Sequence, residues 1–380
     1  MIFGLLPLIL ISVWVYIWRR LVLTARFSPK NQKLVTGFLF VLLLLEVATP
    51  LLMRHSREMR HPYRFLVTSY VILGFVDLLF FFTLAKDVVQ ILLRFLPPVY
   101  ENPNRRLFLA RGLNLAALGL AGGATLIGGE TAKESPKVKR VSIKSPGLNK
   151  NLKGLKIAQI SDLHVGGGLQ KGEVERIVDT VNSTQPDLIA FTGDFADGPA
   201  RDLLSATEPL KNLSAPYGKF YVTGNHEYYW NVDEWTKRAQ DLGFDYLFNT
   251  HKLIDVKGAK LIVGGVADYN CSRIRPDHCS DPKESLRNSP PSDFKLLLAH
   301  QPKSCYNAYE AGYDLQLSGH THNGQFFPNN LVIGLFHPYV RGLNLHKNKM
   351  WVYVSSGTGY WGPPLRLGIP SEIALLTLES

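Results

Sequence analysis

The sequence predicts an α/β domain of layered strands and helices that follows an N-terminal transmembrane helical region. Two observations lead to this prediction. Long apolar runs fill much of residues 1–128, whereas short apolar runs alternate with helical patterns from residue 152 onward. Charge divides the chain in the same way: residues 1–150 hold 20 Lys and Arg against 7 Asp and Glu, and residues 151–380 hold 22 against 24. The formal net charge of +11 therefore belongs to the N-terminal part.

Four apolar runs in the N-terminal part approach or exceed the length of a transmembrane helix. They cover residues 2–18, 35–53, 65–85 and 107–128. The fourth run is the least apolar, because Arg111 and Asn114 lie near its start, and a buried soluble helix or a linker is the alternative there. The first run lacks a basic start and is followed by further runs, which favours an uncleaved anchor over a signal peptide. We therefore expect a membrane region with about four transmembrane helices over residues 1–128.

The orientation in the membrane depends on the basic residues that flank the runs. Loops 19–34, 54–64 and 86–106 carry five, four and four Lys and Arg, so they barely distinguish the two sides. Arg105-Arg106 precedes a Gly- and Ala-rich stretch and resembles a twin-arginine export signal, with an ordinary basic anchor as the alternative. Both interpretations place residue 105 on the cytoplasmic side. If the fourth run also spans the membrane, the C-terminal domain is expected on the extracytoplasmic side.

A basic connector at residues 129–150 leads into a first strand at 138–144, and the C-terminal domain is expected at 151–380. Further strands are predicted at 155–160, 187–192, 219–223, 260–266, 295–299, 314–318, 351–355 and 372–378. Helices are predicted at 171–184, 201–212, 231–242 and 302–311. This order of elements indicates an α/β domain with a substantial β content.

Five short polar clusters lie at or near the ends of predicted strands. They are Asp162-Leu163-His164, Gly193-Asp194, Gly224-Asn225-His226-Glu227, His300 and Gly319-His320-Thr321-His322. Because ligands collect outside the carboxyl ends of strands in open α/β sheets, we expect these clusters to share one site. Glycines within several of them permit tight turns and close backbone approach.

The clusters supply two Asp, one Asn and five His, which are ligands for zinc, iron, manganese or nickel. One carboxylate, that of Asp194, can bridge two ions about 3.5–4 Å apart, a spacing suited to hydrolytic chemistry. His226 is then left as a general acid or a group that stabilises charge. Taken singly, each Asp or His has a structural explanation, such as a turn or a cap. Their joint order and spacing favour the metal site.

These five motifs resemble those of the calcineurin-like metallophosphoesterase superfamily, and in particular its bacterial membrane-associated, exported phosphoesterase-like branch. The resemblance covers about residues 138–380 and implies a layered β-sandwich flanked by helices. It implies that two divalent metal ions (Mn, Fe, Zn or similar) are bound, one by Asp162, His164, Asp194 and His322 and the other by Asp194, Asn225, His300 and His320. It also implies that His226 is catalytic. Glu227 stands where the family commonly has Asp.

Two features outside the motifs carry weaker predictions. The tail around Arg366 also resembles that branch, so Arg366 is a candidate to contact a substrate phosphate, with pairing to Glu372 as the alternative. Cys271 and Cys279 could form a disulfide in an oxidising compartment, and free thiols are the alternative.

We therefore expect an integral protein of a bacterial cell membrane whose extracytoplasmic domain hydrolyses a phosphoester with two metal ions. Anchoring favours a lipid-linked or amphiphilic phosphodiester or pyrophosphate as substrate. The alternatives are a tethered phosphodiesterase for soluble substrates and a non-catalytic metal-binding sensor, which would have no need of His226. The net charge of −2 over residues 151–380 disfavours a nucleic-acid partner. The sequence leaves the oligomeric state and the metals open.

Overall fold

The computed structural model of this chain describes residues 2–55, 63–93, 95 and 102–380. The chain divides into two compact units. The N-terminal unit comprises Met1–Glu130 with Gly362–Leu365, and the C-terminal unit comprises Thr131–Trp361 with Arg366–Ser380.

The N-terminal unit is helical. Its helices are α1 (Ile2–Trp18), which continues into a π-helical turn at Arg19–Leu23, α2 (Pro29–His55), α3 (Tyr63–Leu93) and α4 (Pro103–Ala132). Among the described residues, Val67–Leu93 and Pro103–Ala132 are long and apolar enough to cross a membrane. The predicted runs at 65–85 and 107–128 lie in these two helices. That the other two runs also cross a membrane, and that the membrane region ends at residue 128, stay predictions.

Helix α4 extends to Ala132, past the predicted end of the fourth apolar run, and the strand expected at 138–144 runs from Lys137 to Lys144. The bounds of the connector at 129–150 stay a prediction. Loop 54–64, one of the three basic loops, lies mostly outside the described residues.

Buried polar contacts join the helices of the N-terminal unit. Trp14 Nε1 donates to a carboxylate oxygen of Glu46 at 2.6 Å. Lys86 Nζ, on α3, donates to Asn114 Oδ1, on α4, at 3.1 Å. Polar groups inside an apolar bundle are costly unless they have such partners. These pairs therefore explain how polar side chains are accommodated between apolar helices.

The C-terminal unit contains twelve strands among its described residues. They are β1 (Lys137–Lys144), β2 (Lys156–Ile160), β3 (Leu188–Thr192), β4 (Lys219–Val222), β5 (Asp245–Tyr246), β6 (Thr250–Val256), β7 (Ala259–Gly265), β8 (Phe294–Leu298), β9 (Leu315–Ser318), β10 (Gly342–His346), β11 (Met350–Val354) and β12 (Glu372–Glu379). Its helices are α5 (Lys171–Ser183), α6 (Leu204–Thr207), α7 (Asn225–Trp230), α8 (Val232–Asp241), α9 (Cys305–Ala311) and α10 (Asn329–Val332).

The strands form two six-stranded sheets, ordered β1-β12-β2-β3-β4-β5 and β10-β11-β9-β8-β7-β6. The main apolar core lies between them and includes Ile157 and Phe220 from the first sheet and Leu261 and Leu296 from the second. A further core lies where α5 packs on the first sheet, with Ile177 among its buried residues. This confirms the predicted α/β fold, a layered β-sandwich flanked by helices.

Strand direction brings the predicted site residues to one edge. Strands β2, β3 and β4 are parallel neighbours in the first sheet, and β8 and β9 are parallel neighbours in the second. Ile160, at the end of β2, is paired with Phe191, next to the end of β3. Because parallel strands point the same way, the loops that follow them leave each sheet on the same side.

Three strands and the short helices α7 and α10 were not predicted, and one predicted helix is broken into shorter turns. Strands β5, β6 and β10 were missed because they lie at or beside sheet edges and have mixed polar sequences that give no continuous apolar run. The predicted helix at 201–212 is instead a 3₁₀ turn, the short helix α6 and a second 3₁₀ turn that contains Pro209. Cys271, Cys279 and Cys305 are free thiols, so the disulfide does not form.

Candidate metal centre

The candidate site residues follow the carboxyl ends of five strands. Asp162 and His164 come after β2, and Asp194 comes after β3. Asn225 and His226 begin α7, which follows β4. The remaining predicted ligands are His300 after β8 and His320 and His322 after β9. The structure thus brings every predicted metal ligand to the loops that follow parallel strands.

Several of these residues adopt left-handed backbone conformations. The φ angle is 55° at Asp162, 49° at His164, 53° at Asp194, 72° at His320 and 47° at His322. Such conformations cost about 1 kcal/mol or more for residues other than glycine, and they cluster at functional sites. The surrounding structure therefore holds five of the seven predicted ligands in conformations that their sequence does not favour.

Glycines allow the loops to approach one another closely. A Cβ atom on Gly319 would lie 2.0 Å from Ser161 Oγ and 2.1 Å from Asp162 Oδ2. A Cβ atom on Gly224 would lie 2.2 Å from Asp194 Oδ1. No side chain fits at these distances, so glycine at both positions is required for the contact between adjacent clusters.

The first group of candidate ligands is Asp162, His164 and His322, all buried. The Nε2 atoms of His164 and His322 are 3.1 Å apart, and His322 Nε2 is 3.5 Å from Asp162 Oδ1. Asp162 Oδ2 is buried and accepts no hydrogen bond from the residues that the structure describes. Two ring nitrogens at this distance can share only one proton, so a cation that accepts both lone pairs fits the group.

The second group is Asp194, His300 and His320. His300 Nε2 lies 3.1 Å from Asp194 Oδ2, 3.2 Å from Asn225 Oδ1 and 3.2 Å from His320 Nδ1. The other ring nitrogen of His300, Nδ1, donates to the carbonyl oxygen of Thr192 at 2.7 Å. This bond leaves Nε2 as the nitrogen that can bind a cation, as is usual for histidine ligands.

His226 lies beside both groups of candidate ligands, but its ring nitrogens are farther from the carboxylate of Asp194 than the Nε2 atom of His300 is. Its Nε2 atom is 4.0 Å from Asp194 Oδ2, and its backbone N–H donates to Asp194 Oδ1 at 3.0 Å. Its Nδ1 atom is 2.5 Å from Asp197 Oδ1. The other oxygen of Asp197, Oδ2, lies 3.2 Å from His164 Nδ1. One carboxylate therefore orients both His226 and a candidate ligand.

Sequence reasoning missed Asp197. Its side chain is only 6% exposed, and it contacts the histidines of two separate clusters. The available signal was a second acid three residues after Asp194, within Gly193–Asp197. Such spacing alone does not distinguish a functional acid from a turn residue, so the distance to His226 was needed to assign it.

Glu227 supports the loop that carries Asp194. Its buried carboxylate accepts hydrogen bonds from the backbone N–H groups of Gly224 at 2.5 Å, Asp194 at 3.2 Å and Phe195 at 2.6 Å. These three bonds join the end of β3 to the start of α7. The acid in this position therefore has a structural role that the longer side chain of Glu fulfils.

Arg366 is fully buried beside the first group. Its Nη1 atom donates to the carbonyl oxygen of Ser356 at 2.8 Å, and Nη2 lies 3.3 Å from His322 Nδ1. Glu372, the alternative partner, instead accepts from Lys139 at 3.3 Å and from Tyr353 at 2.7 Å. Contact between Arg366 and a substrate phosphate stays a prediction.

Charge determines which of these groups hold protons in the metal-free protein. Burial lowers the pKa of His300, but the nearby carboxylates of Asp194, Asp162 and Asp268 together outweigh burial and raise the pKa to about 10. Burial also lowers the pKa of His226, but the carboxylates of Asp194 and Asp197 raise it, and the resulting pKa is about 9. Burial disfavours the charged form of Asp194, yet the histidines hold its pKa well below the usual range. The cationic forms of His300 and His226 therefore compensate the buried carboxylates in the metal-free protein.

We predict that divalent cations bind more tightly as the pH rises from about 6 to about 8. A bound ion must displace the proton on His300, whose pKa is raised to about 10, so protonation competes with metal throughout this range. One displaced proton gives up to about a tenfold gain in apparent affinity per pH unit. Competition titration of the full chain against a fluorescent chelator measures this, and an affinity independent of pH would contradict it.

We also predict that Gly319→Ala weakens metal binding and lowers the melting temperature. The added Cβ would overlap Ser161 Oγ and Asp162 Oδ2, so the two loops must separate, at a cost of about 1–3 kcal/mol. Gly172→Ala is the matched control, because its Cβ would meet its nearest atom at 3.9 Å. Thermal unfolding and metal titration compare the two variants. Equal behaviour would show that the close approach is dispensable.

Comparison with known proteins agrees with this geometry. The family model described as calcineurin-like phosphoesterase matches residues 155–324, which include all seven predicted metal ligands and His226. Members of this family use divalent metal ions, and the clustered His and Asp side chains fit that use.

Relatives extend the match along the chain. A putative metallophosphoesterase of Caenorhabditis elegans is 37% identical over 256 residues, which cover 65% of this chain and 53% of that protein. An uncharacterized metallophosphoesterase of Campylobacter jejuni is 32% identical over 378 residues, covering 96% of this chain and 94% of that protein. A Bos taurus transmembrane protein with metallophosphoesterase domain is 31% identical, covering 96% and 86%.

The chain therefore spans about half the length of the Caenorhabditis elegans relative and nearly all of the Campylobacter jejuni relative. This chain and the Campylobacter jejuni relative are 32% identical along almost their whole lengths. The family model covers all five motifs, so the two comparisons establish the family. This chain belongs to the calcineurin-like metallophosphoesterase family.

Proposed function

We propose that this chain is a membrane-anchored phosphoester hydrolase that uses two divalent metal ions. One observation carries the proposal: Asp194 Oδ2 lies 3.1 Å from His300 Nε2 and 3.7 Å from His164 Nε2. This single carboxylate oxygen faces both groups of candidate ligands, as a bridging ligand does. Membership of the metallophosphoesterase family supports the same activity.

The proposed ligand sets share Asp194. The first ion would be held by Asp162, His164, Asp194 and His322, and the second by Asp194, Asn225, His300 and His320. Carboxylate, amide and imidazole ligands suit manganese, iron and zinc. When bound, such a pair of ions supplies charge that stabilises phosphoryl oxygens and lowers the pKa of a water molecule.

His226 is the proposed catalytic residue. Asp197 accepts a hydrogen bond from Nδ1 of its ring at 2.5 Å, so Nε2 points toward the two ligand groups. A protonated imidazole there can donate to the oxygen that leaves phosphorus. Asp197 is a positioning residue, because it fixes the ring and stabilises its cationic form.

We place the C-terminal unit at a membrane surface, on the extracytoplasmic side of a bacterial cell membrane. Two described helices are long and apolar enough to span a membrane. The Bos taurus relative, 86% of whose length this chain covers, is named a transmembrane protein. Arg105 and Arg106 lie at the start of α4 and favour a cytoplasmic start for that helix. This setting favours a lipid-linked or amphiphilic phosphodiester or pyrophosphate as substrate.

We predict that His226→Ala lowers kcat by about 10²–10⁴-fold in the metal-loaded protein, because general acid catalysis is lost. Asp197→Asn should lower kcat less and shift the alkaline limb of the pH–rate profile to lower pH, since His226 must be protonated to act and loses one of the two anions that raise its pKa. Steady-state kinetics at saturating metal measure both changes.

Asp202→Asn is the matched control for the Asp197→Asn variant, because the Asp202 side chain is 56% exposed and lies 3.9 Å from Arg201, at the surface. Metal content is measured for each variant, since Asp197 also contacts His164. Full turnover by metal-loaded His226→Ala would refute the assigned role of His226.

The substrate class is tested with the full chain in vesicles. We expect metal-dependent hydrolysis of phospholipid or nucleotide-diphospho-lipid, abolished by a chelator and restored by added metal. Hydrolysis of bis(p-nitrophenyl) phosphate with no reaction of either lipid would instead indicate a tethered phosphodiesterase for soluble substrates. Stoichiometric metal binding with no hydrolysis of any substrate would indicate a non-catalytic sensor.

A further inference from the structure

A segment of unusual composition, which includes the short helix α10, follows the last pair of candidate ligands. Residues 326–337, which we call the apolar loop, contain Leu331, Val332, Leu335 and Phe336. Their exposed fractions are 65%, 48%, 80% and 61%. Leu335, Leu331 and Phe336 are the most exposed large apolar side chains among the described residues of the C-terminal unit. Exposed apolar groups concentrated in six residues indicate a binding surface.

The apolar loop is bonded to the backbone of Leu367 at its start and contacts a candidate metal ligand at its end. At its start, Phe326 is buried, and the Phe327 N–H donates to the carbonyl oxygen of Leu367 at 3.1 Å. At its end, the ring of His337 lies 5.2 Å from the ring of His320. The exposed side chains therefore lie on a short segment whose position is fixed next to the ligands.

Aromatic side chains also flank His226. The rings of Tyr229 and Trp361 lie 5.1 Å and 5.5 Å from its imidazole ring. These two side chains are 42% and 47% exposed. Tyr and Trp combine an apolar ring with a polar group and are enriched where proteins meet the headgroup region of a membrane.

Charge around the apolar loop complements an anionic surface. Residues 315–371 contain four Lys and Arg and no Asp or Glu. Residues 151–380 as a whole have a small acidic excess, with 22 Lys and Arg against 24 Asp and Glu. The sequence around the loop therefore lacks the carboxylates that anionic lipid headgroups would repel.

We propose that the apolar loop inserts into the interfacial region of a lipid bilayer and holds the candidate metal centre at the membrane surface. Leu331, Val332, Leu335 and Phe336 enter the boundary between headgroups and acyl chains, as the apolar faces of interfacial segments do. The inference rests on the proposed membrane attachment, because spanning helices would keep the loop near lipid. It implies that phosphoesters of bilayer lipids reach the metals without leaving the membrane.

Site-directed fluorescence on the full chain tests this inference. In a Cys279→Ser background, which removes the exposed thiol and leaves the buried Cys271 and Cys305, Leu335→Cys is labelled with an environment-sensitive nitrobenzoxadiazole probe. The protein is placed in vesicles of phosphatidylcholine and phosphatidylglycerol that carry doxyl-labelled lipids. Leu253→Cys is the matched control, because Leu253 is an exposed leucine, 42% accessible, on strand β6.

We expect a blue shift and doxyl quenching at position 335 and neither at position 253. Doxyl groups near the headgroup should quench more than groups near the chain end, since interfacial segments enter only about 5–10 Å. Val332→Cys provides a second labelled position, and thermal unfolding verifies that both labelled proteins are folded. Quenching requires no turnover, so its outcome is independent of whether the proposed hydrolase activity is found.

Equal quenching at positions 335 and 253 would overturn the proposal. A blue shift at 335 without doxyl quenching would also overturn it, because the loop would then be covered by protein. In that case, a dependence of the shift on protein density in the vesicles would identify a second copy of this chain as the occupant.

Discussion

The buried carboxylate of Asp194 is the constraint on which the rest of the site depends. An isolated anion in a protein interior costs several kcal/mol, so it persists only with compensating charge and hydrogen bonds. His300 lies 3.1 Å from it, and the backbone of His226 donates to it at 3.0 Å. Glu227 holds the backbone of the same loop through three N–H groups. The loops after β3, β4 and β8 are thus arranged around one anion, which is also the group that we propose as a ligand shared by two metal ions.

Much of this arrangement could be predicted from the sequence, because the signals are local. Apolar runs end just before Asp162, Asp194 and His300, and parallel strands bring such ends together. Edge strands such as β6 lack a continuous apolar run, so their existence depends on pairing that the local sequence does not show. Asp197 was missed for a related reason: its role arises from distances to His164 and His226, which lie on other segments.

The two units show how different physical constraints act within one chain. Long apolar helices with internally paired polar groups, such as Glu46 with Trp14, suit a lipid environment. The C-terminal unit instead buries its apolar residues between sheets, and the three most exposed of its described large apolar side chains, Leu331, Leu335 and Phe336, lie in the apolar loop. If the site at the strand ends is catalytic and the apolar loop beside it contacts lipid, membrane attachment becomes part of substrate recognition. The membrane helices would then keep the site close to its lipid substrate.

Metal stoichiometry tests the central claim most directly. Elemental analysis of the purified full chain after loading and removal of free metal should give two divalent ions per chain. Asp194→Asn should retain less than one, because both ligand sets lose their shared carboxylate while the amide preserves the shape of the side chain. One ion per chain in the unmodified protein, or two ions retained by Asp194→Asn, would contradict a centre organised around this residue.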